Sequence, residues 1–202
     1  RLKKLPFEKE FNSIQIYKYL SDANFNVGEL KGILDSTPYL SIILRYINLF
    51  EAKNSADIEG IHTDFKSIFL DSIAHKKTNT NSAQFVNHLR ATNILYNNLK
   101  SKKKLLMEDI NDMQELIAPD QPGLRKMRGH KIYNKVTNEV LYIPPQNKNV
   151  IIDYYQNLID YINTKGSKYD PLIKMSLIHY QFARIHPYKD GNGRITRILN
   201  VM

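Results

Sequence analysis

Apolar residues recur three and four positions apart over most of the chain, the spacing of an amphipathic helix face. Phe11, Ile14, Tyr17 and Leu20 form one such stripe. Pro38 opens a stronger segment, Tyr39 to about Glu51, with Leu40, Ile43, Leu44, Ile47 and Phe50 on one side. Ser82 is placed to cap a helix carrying Phe85, Val86, Leu89 and Leu95. Leu106, Ile110, Met113 and Ile117 predict a short helix ending before Pro119, and Ile151, Ile152, Tyr155, Leu158, Ile159 and Ile162 another, stopped near Gly166. Asp170 followed by Pro171 is an N-cap with proline in the first turn. The helix it starts runs through Leu172, Met175, Leu177, Ile178 and Phe182 to about Ile185.

One stretch departs from this period. Between Pro119 and Pro145, the strand-formers Ile132, Tyr133, Val136, Val140, Tyr142 and Ile143 flank a turn at Thr137-Asn138. The pattern predicts an all-α, mainly helical protein with one β-hairpin. A lone hairpin is marginal in water, so it must pack on the helices or offer an exposed edge to another strand.

Composition narrows the chemistry. With 42% hydrophobic and 24% charged residues, the 202-residue chain has an ordinary globular balance rather than a disordered one. The absence of cysteine excludes disulfides, thiolate–zinc sites, iron–sulfur ligation and a cysteine nucleophile. It also suits a reducing compartment, hence an expected cytoplasmic location. No apolar run approaches the roughly 18 residues of a membrane span, so no membrane partner is expected. Lysine and arginine number 29 against 20 acidic residues, a net +9 that favours polyanionic partners such as nucleic acid, nucleotide phosphates or acidic protein surfaces. Two basic clusters, Lys100, Lys102, Lys103, Lys104 and Arg125, Lys126, Arg128, Lys131, Lys135, read as a solvated helix end and a solvated loop.

The densest polar segment runs from His186 to Arg197: His-Pro-Tyr-Lys-Asp190-Gly191-Asn192-Gly193-Arg194-Ile-Thr-Arg197. It follows a predicted helix and precedes Ile198, Leu199 and Val201, which resume a helical pattern. Gly191 and Gly193 permit backbone conformations closed to other residues, where free amides of a new helix face one small concavity. Arg194 and Arg197, three apart, can reach one phosphate chain. Asp190 is a hard oxygen donor suited to a Mg²⁺ ion also held by phosphates. His186 is the nearby group able to act as a base near neutral pH. Together these describe a phosphate-transfer site. No P-loop, dinucleotide fingerprint or paired-histidine zinc motif is present. The other histidines, His62, His75, His88 and His130, lack ligand spacing and read as surface groups, while His179 reads as a packed helix residue.

The segment closely resembles the signature H-x-F-x-[DE]-G-N-G-R-x-x-R of the Fic family, with Tyr188 in the usual phenylalanine place. The preceding helix, with His179-Tyr-Gln-Phe-Ala-Arg-Ile, and Tyr142-Ile-Pro-Pro after the hairpin are also similar to that family. The resemblance implies a Fic-type helical bundle. An N-terminal lobe spans residues 1–75. The core spans 76–202, with a flap hairpin at about 128–145 and a catalytic loop at 186–197, and the family usually continues with further helices. It implies a protein adenylyltransferase that moves AMP from ATP to a hydroxyl of a target protein, itself included. His186 would be the base, Asp190 the Mg²⁺ ligand, the amides around Gly191, Asn192 and Gly193 the phosphate cradle, and Arg194 and Arg197 the β/γ clamp. Target segments would add as a strand to the flap at Ile132, Tyr133, Tyr142 and Ile143. Ser55-Ala-Asp-Ile-Glu59-Gly60 resembles the family's inhibitory motif, which would put the Glu59 carboxylate, with Ser55 one turn before it, on Arg197. Three alternatives stay open: another transfer from the same site (a different nucleotide, a phosphoryl group, removal of AMP), a homodimer, and a DNA-binding adaptor acting through a further C-terminal segment. Gly193 argues against the phosphoryl-transferring Doc branch, which departs at that glycine.

Overall fold

The computed structural model describes residues 2–201 apart from 9, 10, 12, 63, 75–79, 127 and 135. Helices α1 (Ile14–Ser36), α2 (Leu40–Ile58), α3 (Phe65–Ala74), α4 (Thr80–Lys102) and α5 (Met107–Ile117) precede the hairpin strands β1 (Ile132–Tyr133) and β2 (Val140–Tyr142). Helices α6 (Lys148–Asn163), α7 (Pro171–Ile185) and α8 (Asn192–Asn200) follow. The protein is therefore mainly helical with one two-stranded hairpin, as the periodicity predicts.

Local chemistry explains several boundaries. The Asp170 carboxylate accepts the Leu172 amide at 2.8 Å and Pro171 occupies the first turn of α7. Ser13 caps α1 in the same way, so the helix starts after Phe11 rather than at it. Ser82 lies inside α4 and is not its cap. Helix α3 was not legible from apolar spacing; its start signal is Asp64, whose carboxylate accepts the Ser67 amide at 3.1 Å. The hairpin turns where expected: Asn138 takes φ 57°, and the Asn134 side chain accepts the Val136 and Thr137 amides. Its strands are only two and three residues long because an irregularity interrupts the register between Ile132 and Tyr133.

The main core lies where α5, α6, α7 and α8 meet, filled by Ile110, Ile117, Tyr155, Leu158, Phe182, Ile185, Ile195 and Ile198. Leu5 joins it from the N-terminal segment, its amide and carbonyl both bonded to the Asn157 side chain. Burying each such side chain stabilises the fold by about 1.5–3 kcal/mol relative to leaving it in water. A second cluster unites Leu49, Ala52 and Ala56 of α2 with Ile68 of α3 and Phe85 of α4.

Two predicted faces differ from expectation. The stripe Ile43, Leu44, Ile47 and Phe50 is exposed, and α2 buries its later residues Leu49, Ala52, Ser55 and Ala56 instead. Small side chains there let α2 approach α4 and α8 closely. Helix α1 buries none of its residues, so its apolar stripe is not a core face. Among the described residues no helix is long and apolar enough to cross a membrane.

The aromatic exchange at position 188 is chemically satisfied. Tyr188 is fully buried, its hydroxyl 2.9 Å from that of Tyr155 and donating to Asn111 Oδ1 at 2.6 Å. Burial pushes the pKa of both phenols up, keeping them protonated. The network joins the catalytic-loop segment to α5 and α6. A Tyr188→Phe variant is expected to lose about 1–3 kcal/mol, because Asn111 and Tyr155 lose a buried partner. Chemical denaturation checks this; an unchanged midpoint contradicts the network's role.

Candidate active site

Helix α7 ends in strained geometry. His186 is its C-cap, at φ 48° and ψ 60°, a left-handed conformation rare for a side chain with Cβ. Surrounding contacts hold it there. Arg125 Nε donates to the His186 carbonyl at 2.7 Å, and Arg125 Nη2 donates to the carbonyls of Pro145 and Ile185. The Arg125 amide donates to Pro187 O at 3.0 Å, and Leu124 bridges Tyr188. Arg125 is buried, so it is not part of a solvated loop as its cluster suggested. It ties the base of the flap to the loop carrying His186. Burial pushes the His186 imidazole down to about 4, helped by His130 and Arg125, with Glu59 among the groups opposing the fall. The ring is therefore neutral at neutral pH, the state a proton acceptor needs.

The turn from Tyr188 to Asn192 is closed by side chains. Asn192 Oδ1 accepts the Tyr188 amide at 3.0 Å and its Nδ2 donates to Tyr188 O at 2.8 Å. The buried Asn192 amide group is thus spent on the loop, leaving only its backbone N–H for a ligand. Gly191 takes φ 86° at the N-cap of α8, as the glycine reading requires. Gly193 does not: it is helical, and its value is space. A Cβ there would meet Glu59 Oε1 at 2.3 Å and Arg197 Nη1 at 3.2 Å.

The arginines diverge. Arg194 is buried, donating to Ile117 O at 2.9 Å and to Asp190 Oδ2 at 3.2 Å. Arg197 turns to α2: its Nε donates to Ser55 Oγ at 2.7 Å, and its Nη2 donates to Ser55 O and to Glu59 Oε1, each at 2.8 Å. Glu59 is held at this point by the end of α2. The Ile61 amide bonds Ala56 O and the Gly60 amide bonds Asp57 O, a Schellman cap with Gly60 left-handed at φ 82°. Ser55, Glu59 and Arg197 are thus brought together as the family resemblance implied.

The carboxylate of Asp190 is 57% exposed, with Oδ1 accepting the Gly191 amide at 2.6 Å. Among the described residues no group of three or more His, Asp or Glu side chains is arranged to hold a metal ion. One open carboxylate beside an anion-binding helix end fits a hard divalent ion that arrives on phosphates, not one the protein holds alone.

The flap lies beside this loop. Tyr142 is half-buried under Arg184, whose guanidinium carbon sits 3.4 Å from the ring centroid. Ile132 is half-buried, whereas Tyr133 and Ile143 are exposed at the hairpin surface. Sequence spacing missed Arg125, Arg184 and Gln114; the buried Gln114 links α5 to the Asp190 carbonyl at 3.3 Å. These partners are far apart in the chain, so no local pattern announces them.

Histidine placement also changed. His62 is exposed beside Asp57, and His179 packs against Asn200, both as expected. His75 lies outside the described residues. His88 is buried on α4, not at the surface, and its Nδ1 has no partner among the described residues. Burial, then Arg194 and Arg197, push it down to about 4. Its ordinary value is 6.5, so as pH falls the unfolded chain binds this proton first. Stability is present above 6.5 and lost on falling toward about 4, by roughly 3 kcal/mol at most from this group. A His88→Met variant is expected to lose less stability than the parent between about pH 7 and about pH 5, measured by denaturant midpoints; an equal loss contradicts this.

A helix-end anion cradle, a neutral histidine and a carboxylate-plugged arginine on a helical bundle with a flap define the Fic class of fold and site. The Fic/DOC family matches residues 94–202, and its N-terminal counterpart matches residues 17–94. The chain belongs to the Fic/DOC family. It is 29% identical over 103 residues to protein adenylyltransferase fic-1 of Caenorhabditis elegans, covering 50% of this chain and 19% of that protein. The chain thus spans about a fifth of the length of that curated relative. Among solved structures, it is similar to a Fic domain containing signaling protein from Bacteroides thetaiotaomicron (TM-score 0.69, 20% identity, 87% of this chain and 70% of that one). A Fic family protein from Desulfovibrio desulfuricans G20 has the same fold (TM-score 0.71, 19% identity, 95% of this chain and 57% of that one).

Proposed function

We propose that the protein is an adenylyltransferase that moves AMP from ATP to a serine, threonine or tyrosine hydroxyl of a protein, itself included, and that Glu59 restrains it. The observation that carries this reading is the seating of the Glu59 carboxylate on Arg197, from the last turn of α8, and over Gly193, in its first turn. A carboxylate on a guanidinium imitates a phosphate, which supports reading this position as that of a terminal phosphate.

In this reading the α8 amides at Gly191, Asn192 and Gly193 hold the phosphates, Arg197 neutralises the leaving end, and Arg194 steadies Asp190 from its buried position. Asp190 would hold Mg²⁺, which supplies further charge neutralisation on the phosphates when bound. The flap presents the target as an added strand along Ile132, Tyr133, Tyr142 and Ile143. The target oxygen attacks the α-phosphorus as the bond to the pyrophosphate oxygen breaks with its electron pair. His186 accepts the hydroxyl proton. Positioning and electrostatics supply most of the rate.

The relative's activity by name, protein adenylyltransferase, supports AMP as the transferred group. ATP labelled at its α-phosphate, compared with ATP labelled at its γ-phosphate, tests it. Label from the α position alone is expected on the protein; label from the γ position would make the reaction a phosphoryl transfer and overturn the reading.

A further inference from the structure

His130 stands on the lead-in to the flap, outside the His186–Arg197 loop, yet its ring centroid lies 5.1 Å from that of His186 with the planes at 31°. The rings are within contact distance and tilted, neither parallel nor edge-on. Both backbones are anchored. Gln146 Nε2 donates to His130 O at 2.9 Å, and its Oε1 accepts the Gly129 amide at 2.7 Å. Arg125, from the same lead-in, holds the His186 carbonyl at 2.7 Å. The contact therefore joins two fixed backbones rather than two free side chains.

We propose that His130 is a positioning residue for the base: its ring face sets the orientation of the His186 imidazole and couples the proton on His186 to a second titratable ring. This rests on the reading of His186 as the proton acceptor.

The charges around the pair give the coupling its sign. His186 is faced by His130 and Arg125 from the flap lead-in and by Glu59 from α2. His130 is faced by Arg125 and by Lys189 of the loop. Cations outnumber the single carboxylate, so two protons on the contacting pair are disfavoured. One proton is not: the neutral His130 ring lies, at 5.1 Å between centroids, within cation–π range of the imidazolium that His186 becomes. Release of Glu59 removes the one negative group, which keeps His186 neutral further into acid. Burial and the neighbouring cations lower His130 as well, so both rings start neutral at neutral pH.

The test has a binding-independent arm and a kinetic arm. Histidine NMR titration of the nucleotide-free protein is run on the parent, His130→Phe and His130→Ala. His130→Phe keeps an aromatic ring in this place and removes the second titrating group, so the His186 midpoint is expected to rise. Transfer is then measured in the Glu59→Gly background. His130→Ala is expected to lower kcat by about tenfold to a hundredfold with the KM for ATP unchanged, the signature of a misaligned base. His130→Phe is expected to recover most of that loss. An unmoved His186 midpoint in both variants overturns the coupling, and equal loss of kcat in both, or a shared rise in KM, reduces His130 to a structural role. If no variant transfers anything from ATP while the His186 midpoint still moves, the coupling proposal stands and the adenylyltransferase reading fails.

Discussion

Replacing His186 with alanine is expected to reduce transfer by at least about a hundredfold and up to about ten-thousandfold. In the proposed reaction the imidazole is the proton acceptor; it is pushed down to about 4, chiefly by burial. A hydroxyl nucleophile without a base keeps its proton at neutral pH, and neither His130, whose ring is tilted against the imidazole at 5.1 Å, nor Asp190, engaged with Gly191 and Arg194, takes the place of the ring. Nucleotide affinity should survive, because the α8 amides and Arg197 are untouched. The comparison is therefore kcat against ATP binding. His186→Asn is the matched control, since asparagine tolerates the left-handed backbone found at this residue. Activity retained in either variant would remove His186 from the chemistry.

The second large effect is opposite in sign. Glu59→Gly is expected to raise transfer about tenfold to a hundredfold, the change that loss of a charge-assisted hydrogen bond of about 1.5–3 kcal/mol allows. Glu59 occupies one edge of Arg197 at 2.8 Å and fills the space above Gly193, where a Cβ would lie 2.3 Å from its carboxylate oxygen. Removing the side chain frees both the guanidinium and the first turn of α8. The exchange is gentle on the fold, because Gly60 remains at the left-handed cap position and Ser55 still bonds Arg197. Ser55→Ala should raise transfer less, since it leaves the carboxylate in place. Equal activity of Glu59→Gly and the parent, with ATP and Mg²⁺ present, would show that the contact is structural and not a restraint.

The loop from His186 to Arg197 was the most legible part of the chain, because its polar residues are contiguous. Gly191 adopts the left-handed turn expected of it, and Asp170-Pro171 starts α7 where a cap and a proline should. The Glu59–Arg197 pair was legible only through the resemblance of Ser55–Gly60 to the family's inhibitory motif, because no local spacing links residues so far apart in the chain. What stayed hidden depends on partners distant in sequence. Arg125 looked like one cation of a solvated run, yet it is buried against carbonyls at 145, 185 and 186. His88 and His130 carry no spacing signal, since each acquires its surroundings from another element. Apolar periodicity identified α2 but not its buried side. The smaller residues Ala52, Ser55 and Ala56 pack inward, while the larger Ile43, Leu44 and Ile47 remain exposed. A stripe reports that a face is apolar; close approach between helices selects the face with small side chains.

The central claim is that the loop from His186 to Arg197 delivers an adenylyl group once Arg197 is released from Glu59. Intact-mass analysis of purified Glu59→Gly protein after incubation with ATP and Mg²⁺ tests it most directly. The account predicts added mass in whole adenylyl increments, absent when His186→Ala is combined with Glu59→Gly. Phosphate increments, or an unchanged mass in a protein shown to bind ATP, would contradict it.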